Sequence, residues 1–255
     1  MESENIYKKK YGQNFLIDQN ICEKIINLLN AGDNDKVLEI GPGDGALTYK
    51  LFNKYKDNFY CVEIDEFYFN KLKNSMQNLN IFNKDFLKLD ISSYNYVIGN
   101  VPYYITSEIL LKLILNYKNI DQIVLMIQQD AYNRIVVSKN KDEKTPISIL
   151  LKLVFDVTFN FNVSKEVFVP KPHISSTVFT LTSNKKYDFD ARDFYNFLLI
   201  CFNSRRKTLI NNLSKKYRKE EILEVLKINN VNLEARSEDL SKEDLLNIYL
   251  ELKKW

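Results

Sequence analysis

Val37-Leu38-Glu39-Ile40-Gly41-Pro42-Gly43-Asp44-Gly45-Ala46-Leu47-Thr48 decides how the rest of the chain is read. A short, mostly apolar run stopped by glycine and proline is a buried β-strand ending in a turn. The glycines allow a tight bend and a close backbone approach to a ligand, and Ala46 restarts the chain as a helix. A strand, a glycine-rich turn and a helix make the first unit of a nucleotide-binding α/β sheet. Two acids, Glu39 and Asp44, flank the turn.

Those acids suggest the charge of the ligand. A pyrophosphate at the turn would meet two carboxylates, whereas a cation would be attracted to them. S-adenosylmethionine, with its sulfonium and its ammonium, suits the turn better. A plainer role for both acids, stabilising the start of the helix, stays open. The pattern then repeats. A strand over Asn58–Val62 ends at Glu63, where an acid in this type of fold takes a ribose hydroxyl. A helix with Phe69, Leu72 and Met76 follows, and the apolar stretch Leu79–Phe82 leads to Asp85, an acid placed to accept an adenine amino group. Three acids at three successive predicted strand ends are much harder to obtain by chance than any one of them.

The next strand, Tyr96–Gly99, runs into the corner Asn100-Val101-Pro102-Tyr103 ahead of a helix from Thr106. Asparagine and proline are common turn residues, so the corner alone proves nothing. Its chemistry nevertheless suits a reluctant nucleophile. The lone pair of a nucleobase amine is delocalised into the ring and becomes available only when the nitrogen is drawn towards tetrahedral geometry. The Asn100 amide oxygen can accept one N–H and the Val101 carbonyl the other, with Pro102 fixing the bend and Tyr103 offering a face for an extruded base.

Further along, strand Gln122–Ile127, a helix through Arg134, a helix starting at Pro146, and strands over Val154–Phe161 and Ser176–Leu181 complete a doubly wound α/β sheet with an antiparallel edge. From residue 184 to 255 only helical patterns remain, opened by Asp190 and closed by a helix with Ser241 and Asp244 as a capping box. The expected division is therefore a sheet domain over residues 1–183 and a helical domain over 184–255.

Composition sets limits on this reading. Thirty-six basic against thirty-three acidic side chains give a net charge of +3, so charge must act through its distribution. Lys8, Lys9 and Lys10 form one basic run, and Arg205, Arg206 and Lys207 open the densest basic segment. Each is a solvated charge run or a contact for a nucleic-acid backbone. The scattered Cys22, Cys61 and Cys201 and the lone His173 offer no metal-ligand pattern. No apolar stretch approaches membrane-spanning length, which leads to the expectation of a cytoplasmic protein, with a monomer as the default.

Gln13 to Leu16 with Asp18, Glu39 to Gly45, Asn100 to Tyr103, Gln128 to Arg134, Phe168 to Ser176 and Phe202 to Leu213 occur in the order found in one known family. The chain resembles the ribosomal RNA adenine N6-dimethyltransferases, the bacterial small-subunit members most of all. The resemblance implies a Rossmann-like methyltransferase sheet with a small helical domain. It implies transfer of two methyl groups from S-adenosylmethionine to each of two adjacent adenosines near the 3′ end of 16S rRNA, within immature 30S particles. By matching position, Asn14, Leu16, Gly41, Glu63, Asp85 and Asn100 line the cofactor site, to which the glycine turn adds Gly43. Asn100 and the Val101 carbonyl hold the target amine at the bend set by Pro102, Tyr103 holds the base, and the helical C-terminal part helps to hold the ribosomal substrate. Three other readings stay open: a large-subunit rRNA dimethyltransferase giving macrolide resistance, a non-enzymatic small-subunit assembly factor, and a small-molecule methyltransferase.

Overall fold

The computed structural model describes residues 14–137 and 144–255. The chain forms two compact units, one ending at Asn133 and resuming over Phe155–Asn184, the other made of Arg134–Val154 and Lys185–Trp255. A single boundary at 183/184 is expected from the sequence, whereas Arg134–Val154 groups with Lys185–Trp255. The apolar face of a short helix such as Pro146–Val154 has no periodicity that names its partner.

The first unit is a seven-stranded sheet with a two-stranded accessory pair. Its strands are β1 (Phe15–Leu16), β2 (Val37–Ile40), β3 (Phe59–Glu63), β4 (Asn80–Asn83), β5 (Tyr96–Asn100), β6 (Gln122–Gln128), β7 (Phe155–Val163), β8 (Phe168–Val169) and β9 (Ser176–Ser183). The main sheet has the order β4-β3-β2-β5-β6-β9-β7. β2, β3, β4, β5 and β6 run parallel, and β9 turns back antiparallel between β6 and β7. This is the expected α/β sheet with its antiparallel edge. β2 and β6 read as near-continuous apolar runs because helices cover both faces of a parallel sheet.

Crossover helices follow the strands in turn. Asp18 caps α1 (Gln19–Ile26) by accepting the Asn20 and Ile21 N–H groups. After β2 the turn continues through Leu47, so α2 is Thr48–Tyr55 and not a helix from Ala46. Gly45, with φ of 88° and its N–H on the Pro42 carbonyl, prolongs the bend by those two residues. α3 (Glu66–Ser75) is capped by Asp65, and α4 (Thr106–Leu115) begins where the sequence places it. Past β6 the helix expected through Arg134 is one α-turn, Gln129–Ala131, followed by a π-helical stretch, Tyr132–Val137. Tyr132 packs there against the Phe159 and Phe179 rings. Phe168–Val169, expected as part of a connection, pairs with Phe15–Leu16. Two residues are too few to show a period in sequence.

At the centre of the sheet Gly99 lies opposite Ile40, and a Cβ there would come within 2.8 Å of the Ile40 carbonyl oxygen. Gly99→Ala is expected to destabilise the protein by about 1–3 kcal/mol through overpacking. An unchanged denaturation midpoint would show that these strands can part.

In the second unit, α5 (Pro146–Val154) and α6 (Ala191–Cys201), capped by Asp190, are followed by α7 (Leu209–Leu213), α8 (Lys219–Ile228) and α9 (Lys242–Leu252). Ser241 and Asp244 form the expected capping box. Phe194, Phe197 and Tyr249 make the aromatic centre, and the Tyr249 hydroxyl donates to Asp193 at 2.8 Å. Among the described residues no helix is long and apolar enough to cross a membrane.

Candidate active site

A parallel sheet leaves a crevice beyond the carboxyl ends of its strands where the strand order reverses. In this sheet that place is the end of β2, between β3 and β5. A cleft opens there within the first unit, lined by the Gly41–Asp44 turn, Glu63, Asp85 and the Asn100–Pro102 corner. Asn14 and Leu16 also line it.

The turn needs its glycines. Gly41 and Gly43 have φ of 63° and 53°, in the left-handed region. A Cβ on Gly43 would come 2.8 Å from the Phe15 ring, while one on Gly41 would meet nothing within 4 Å. The Gly41 backbone is therefore open to close approach by a ligand. Glu63 holds the turn from the neighbouring strand: Oε2 accepts the Gly43 N–H at 2.9 Å and Oε1 the Asp65 N–H at 2.8 Å. Burial raises the pKa of this carboxyl, and the two backbone N–H groups oppose the shift.

Glu39 lies deeper and is only 2% exposed. Burial pushes its pKa up to about 8, the Thr48 hydroxyl partly offsets this, and the Glu63 charge adds to it. Among the described residues its Oε2 has no hydrogen-bond partner. Between the ordinary value of 4.5 and about 8 the folded state keeps a proton that the unfolded chain has lost. Stability from this group therefore falls as pH rises through that window, by at most about 1.4 kcal/mol per pH unit. Thermal melts of cofactor-free protein are expected to fall less steeply over this range in Glu39→Gln. Parallel slopes would remove Glu39 as the source.

Asp85 is half-buried and accepts the Leu87 N–H at 2.9 Å, capping a 3-10 turn over Phe86–Lys88. Asp44 forms an ion pair with Lys71 near the surface. At the corner, the Val101 N–H donates to the Met126 carbonyl at 3.0 Å, extending the hold of β6 one residue past β5. Asn100 Nδ2 donates to the Asn14 carbonyl at 3.1 Å. That bond fixes which end of the amide is the donor, so Oδ1 is the acceptor end. The Pro102 carbonyl accepts from Thr106 Oγ1 at 3.1 Å and turns the chain into a 3-10 turn, Tyr103–Ile105. The side chain of Tyr103 lies outside the described residues. Tyr104 lines the cleft and is 55% exposed.

The donor set of this cleft fits S-adenosylmethionine. Its acidic lining, Asp44, Glu63 and Asp85 with the protonated Glu39 beside them, stands against Lys84 alone among the described residues, an environment that favours a cation over a polyphosphate. The orphaned, buried Glu39 oxygen and the open Gly41 backbone are the sort of features that a polar ligand completes. Several lining residues escaped the sequence reading as site residues: Phe15, Ile64, Phe86 and Ile109. Ile64 and Phe86 each directly follow a singled-out acid, and adjacency was the one signal available for them.

Lys8, Lys9 and Lys10 lie outside the described residues. Arg205, Arg206 and Lys207 are exposed on the loop between α6 and α7. Buried Asn212 shapes that loop by donating to the Cys201 and Ser204 carbonyls at 2.7 and 3.0 Å.

Comparison with known proteins follows the same outline. The family model described as ribosomal RNA adenine dimethylase matches residues 4–254. The chain is 40% identical to ribosomal RNA small subunit methyltransferase A of Mycoplasmopsis pulmonis, over 96% of this chain and 99% of the relative. It is 38% identical to the protein of the same name from Chlorobium phaeobacteroides, over 96% and 94%. A solved dimethyladenosine transferase from Plasmodium falciparum superposes with a TM-score of 0.81 at 26% identity, covering 94% of this chain and 98% of that one. The 23S rRNA methyltransferase ErmE shares the fold, with a TM-score of 0.70 at 21% identity over 94% and 99%.

Proposed function

The chain belongs to the ribosomal RNA adenine dimethylase family, and from that premise we propose which residues carry the reaction and on what substrate. It is an S-adenosylmethionine-dependent enzyme that dimethylates adenine N6 in small-subunit ribosomal RNA. The finer reading is that two adjacent adenosines near the 3′ end of 16S rRNA are its targets. It meets them in the cytoplasm, as a monomer acting on immature 30S particles.

One observation carries the assignment of roles: a single cleft brings the acid-flanked glycine turn together with the Asn100-Val101-Pro102 corner. Asn14, Leu16, Gly41, Gly43, Glu63, Asp85 and Asn100 hold the cofactor, with Glu63 directed to the ribose and Asp85 to the adenine amine. When bound, S-adenosylmethionine supplies a methyl group made electrophilic by its positive sulfur.

The protein's part is orientation. Asn100 Oδ1 and the Val101 carbonyl accept the two N–H bonds of the target amine, draw its lone pair out of the ring and aim it into the cleft. Tyr103 stacks on the flipped base. No side-chain base is needed, because the nitrogen becomes acidic once alkylated and its proton passes to water. For the second transfer one N–H has been replaced by methyl, so a single acceptor must orient the amine. The Arg205-Arg206-Lys207 loop, with Lys8–Lys10, contacts the RNA backbone.

Labelled methyl donor incubated with unmethylated small subunits or with naked 16S rRNA is expected to give N6,N6-dimethyladenosine at two neighbouring positions, identified by nucleoside mass spectrometry and mapping. Label in 23S rRNA alone would overturn the substrate assignment. Analytical ultracentrifugation tests the monomer.

A further inference from the structure

Lys112 lies on α4, away from every motif read in the sequence. It is half-buried, and its ammonium donates to the Phe86 carbonyl at 2.8 Å, to the Leu87 carbonyl at 2.9 Å and, in a still shorter contact, to the Leu89 carbonyl. An ammonium has three N–H donors and no acceptor, so these three carbonyls can use its full set. The same nitrogen sits 5.1 Å from the centre of the Phe86 ring. Burial lowers the pKa of this lysine, and the charges of Asp85 and Asp90 oppose that shift.

The three carbonyls belong to the turn that follows Asp85. A three-residue 3-10 turn has weak internal hydrogen bonding and depends on outside partners. At its start the Asp85 carboxylate accepts the Leu87 N–H, and at its end Lys112 gathers the carbonyls. Asp85 and Phe86 both line the cleft. The helix that carries Lys112 starts at Thr106, just beyond the Asn100–Ile105 corner, and its Ile109 lines the same cleft. Lys112 thus ties the segment bearing the adenine-reading acid to the helix that continues from the target-base corner.

We infer that Lys112 is a positioning residue for cofactor recognition, holding the Asp85–Leu89 turn so that the Asp85 carboxylate meets the purine amino group. The inference rests on the reading of Asp85 given above. It concerns discrimination between purines, which a merely structural lysine would leave intact.

The test compares binding of S-adenosylmethionine with binding of its analogue lacking the purine 6-amino group, by calorimetry, for the wild-type chain and for Lys112→Met, Lys112→Arg and Asp85→Ala. The wild type is expected to prefer the natural cofactor by about 10- to 100-fold, the worth of one hydrogen bond to a charged acceptor. In Lys112→Met this preference is expected to fall to about threefold or less, mainly by weaker binding of the natural cofactor. The KM for RNA should stay unchanged. Lys112→Arg keeps a cation but spreads its donors over a plane, and an intermediate ratio is expected. It supplies the same readout if the methionine variant does not fold. Equal weakening of both ligands, or a wild-type ratio in both Lys112 variants, overturns the proposal. If Asp85→Ala loses the preference while the Lys112 variants keep it, only the role of Lys112 fails. If Asp85→Ala keeps the preference, the reading of Asp85 fails and the proposal with it.

Discussion

Asn100→Ala is expected to lower methyl transfer to adenine by roughly 10³-fold, comparable to the loss of a preorganised hydrogen-bonding group in other active sites. Binding of the cofactor or its demethylated product should change by only about threefold, because most of the polar lining of the cleft is untouched. Asn100 closes β5, the neighbouring Val101 N–H is held by Met126, and the Asn100 amide nitrogen is committed to the Asn14 carbonyl. The amide oxygen is thereby a fixed acceptor, and alanine removes it without disturbing the backbone bonds of the corner. Asn100→Asp sharpens the test. The carboxylate still accepts, but it loses the donor to Asn14 and sets a charge against that carbonyl, so activity should fall with it as well. Single-turnover transfer with calorimetry of product binding gives the two numbers. Dimethyladenosine formed by Asn100→Ala at near the wild-type rate would remove the corner from the mechanism.

Glu63→Ala is expected to weaken cofactor binding by about 100-fold and to lower the melting temperature of the free protein as well. Glu63 is 3% exposed, and its two oxygens each accept a backbone N–H, one from Gly43 and one from Asp65. Alanine leaves both buried donors without a partner, at about 1–3 kcal/mol each where water cannot replace the carboxylate. The glycine turn loses its tie to β3 at the same time. Glu63→Gln keeps one acceptor but turns an amide NH₂ towards a second donor, so it should fall between alanine and the wild type. Saturating cofactor should recover much of kcat in both variants, since neither touches the Asn100–Pro102 corner. If kcat stays low at saturation, Glu63 acts on the chemical step and its role here is misassigned.

How much of this was legible in the chain follows from the range of each interaction. The β2 run, the glycine turn and the acids at 39, 63 and 85 could be read locally, because a buried strand, a positive φ and a strand-end acid each leave a signature within a few residues. The Asn100 corner was legible for the same reason. Helix caps at Asp18, Asp190 and Ser241 were found from residue type and position, because capping is a contact between near neighbours in sequence. The helix expected from Ala46 starts two residues later, at Thr48, because a third left-handed glycine keeps the turn going.

Other features had no local trace. The β1–β8 pair joins Phe15 to Val169, and the Asn100 amide is oriented by the carbonyl of Asn14, 86 residues away. The π-helical stretch after β6 and the assignment of residues 134–154 to the second unit depend on packing partners that are remote along the chain. Lys112 is one more lysine in an amphipathic helix until three carbonyls converge on it. By itself the sequence determined the alternation of strands and helices, the glycine turn and the acids and corner at the strand ends, because backbone sterics and side-chain periodicity act within a few residues. Only the tertiary structure decided which of those groups share one cleft, how the Asn100 amide points and what Lys112 holds, because hydrogen bonds and burial depend on distance in space and not on separation along the chain.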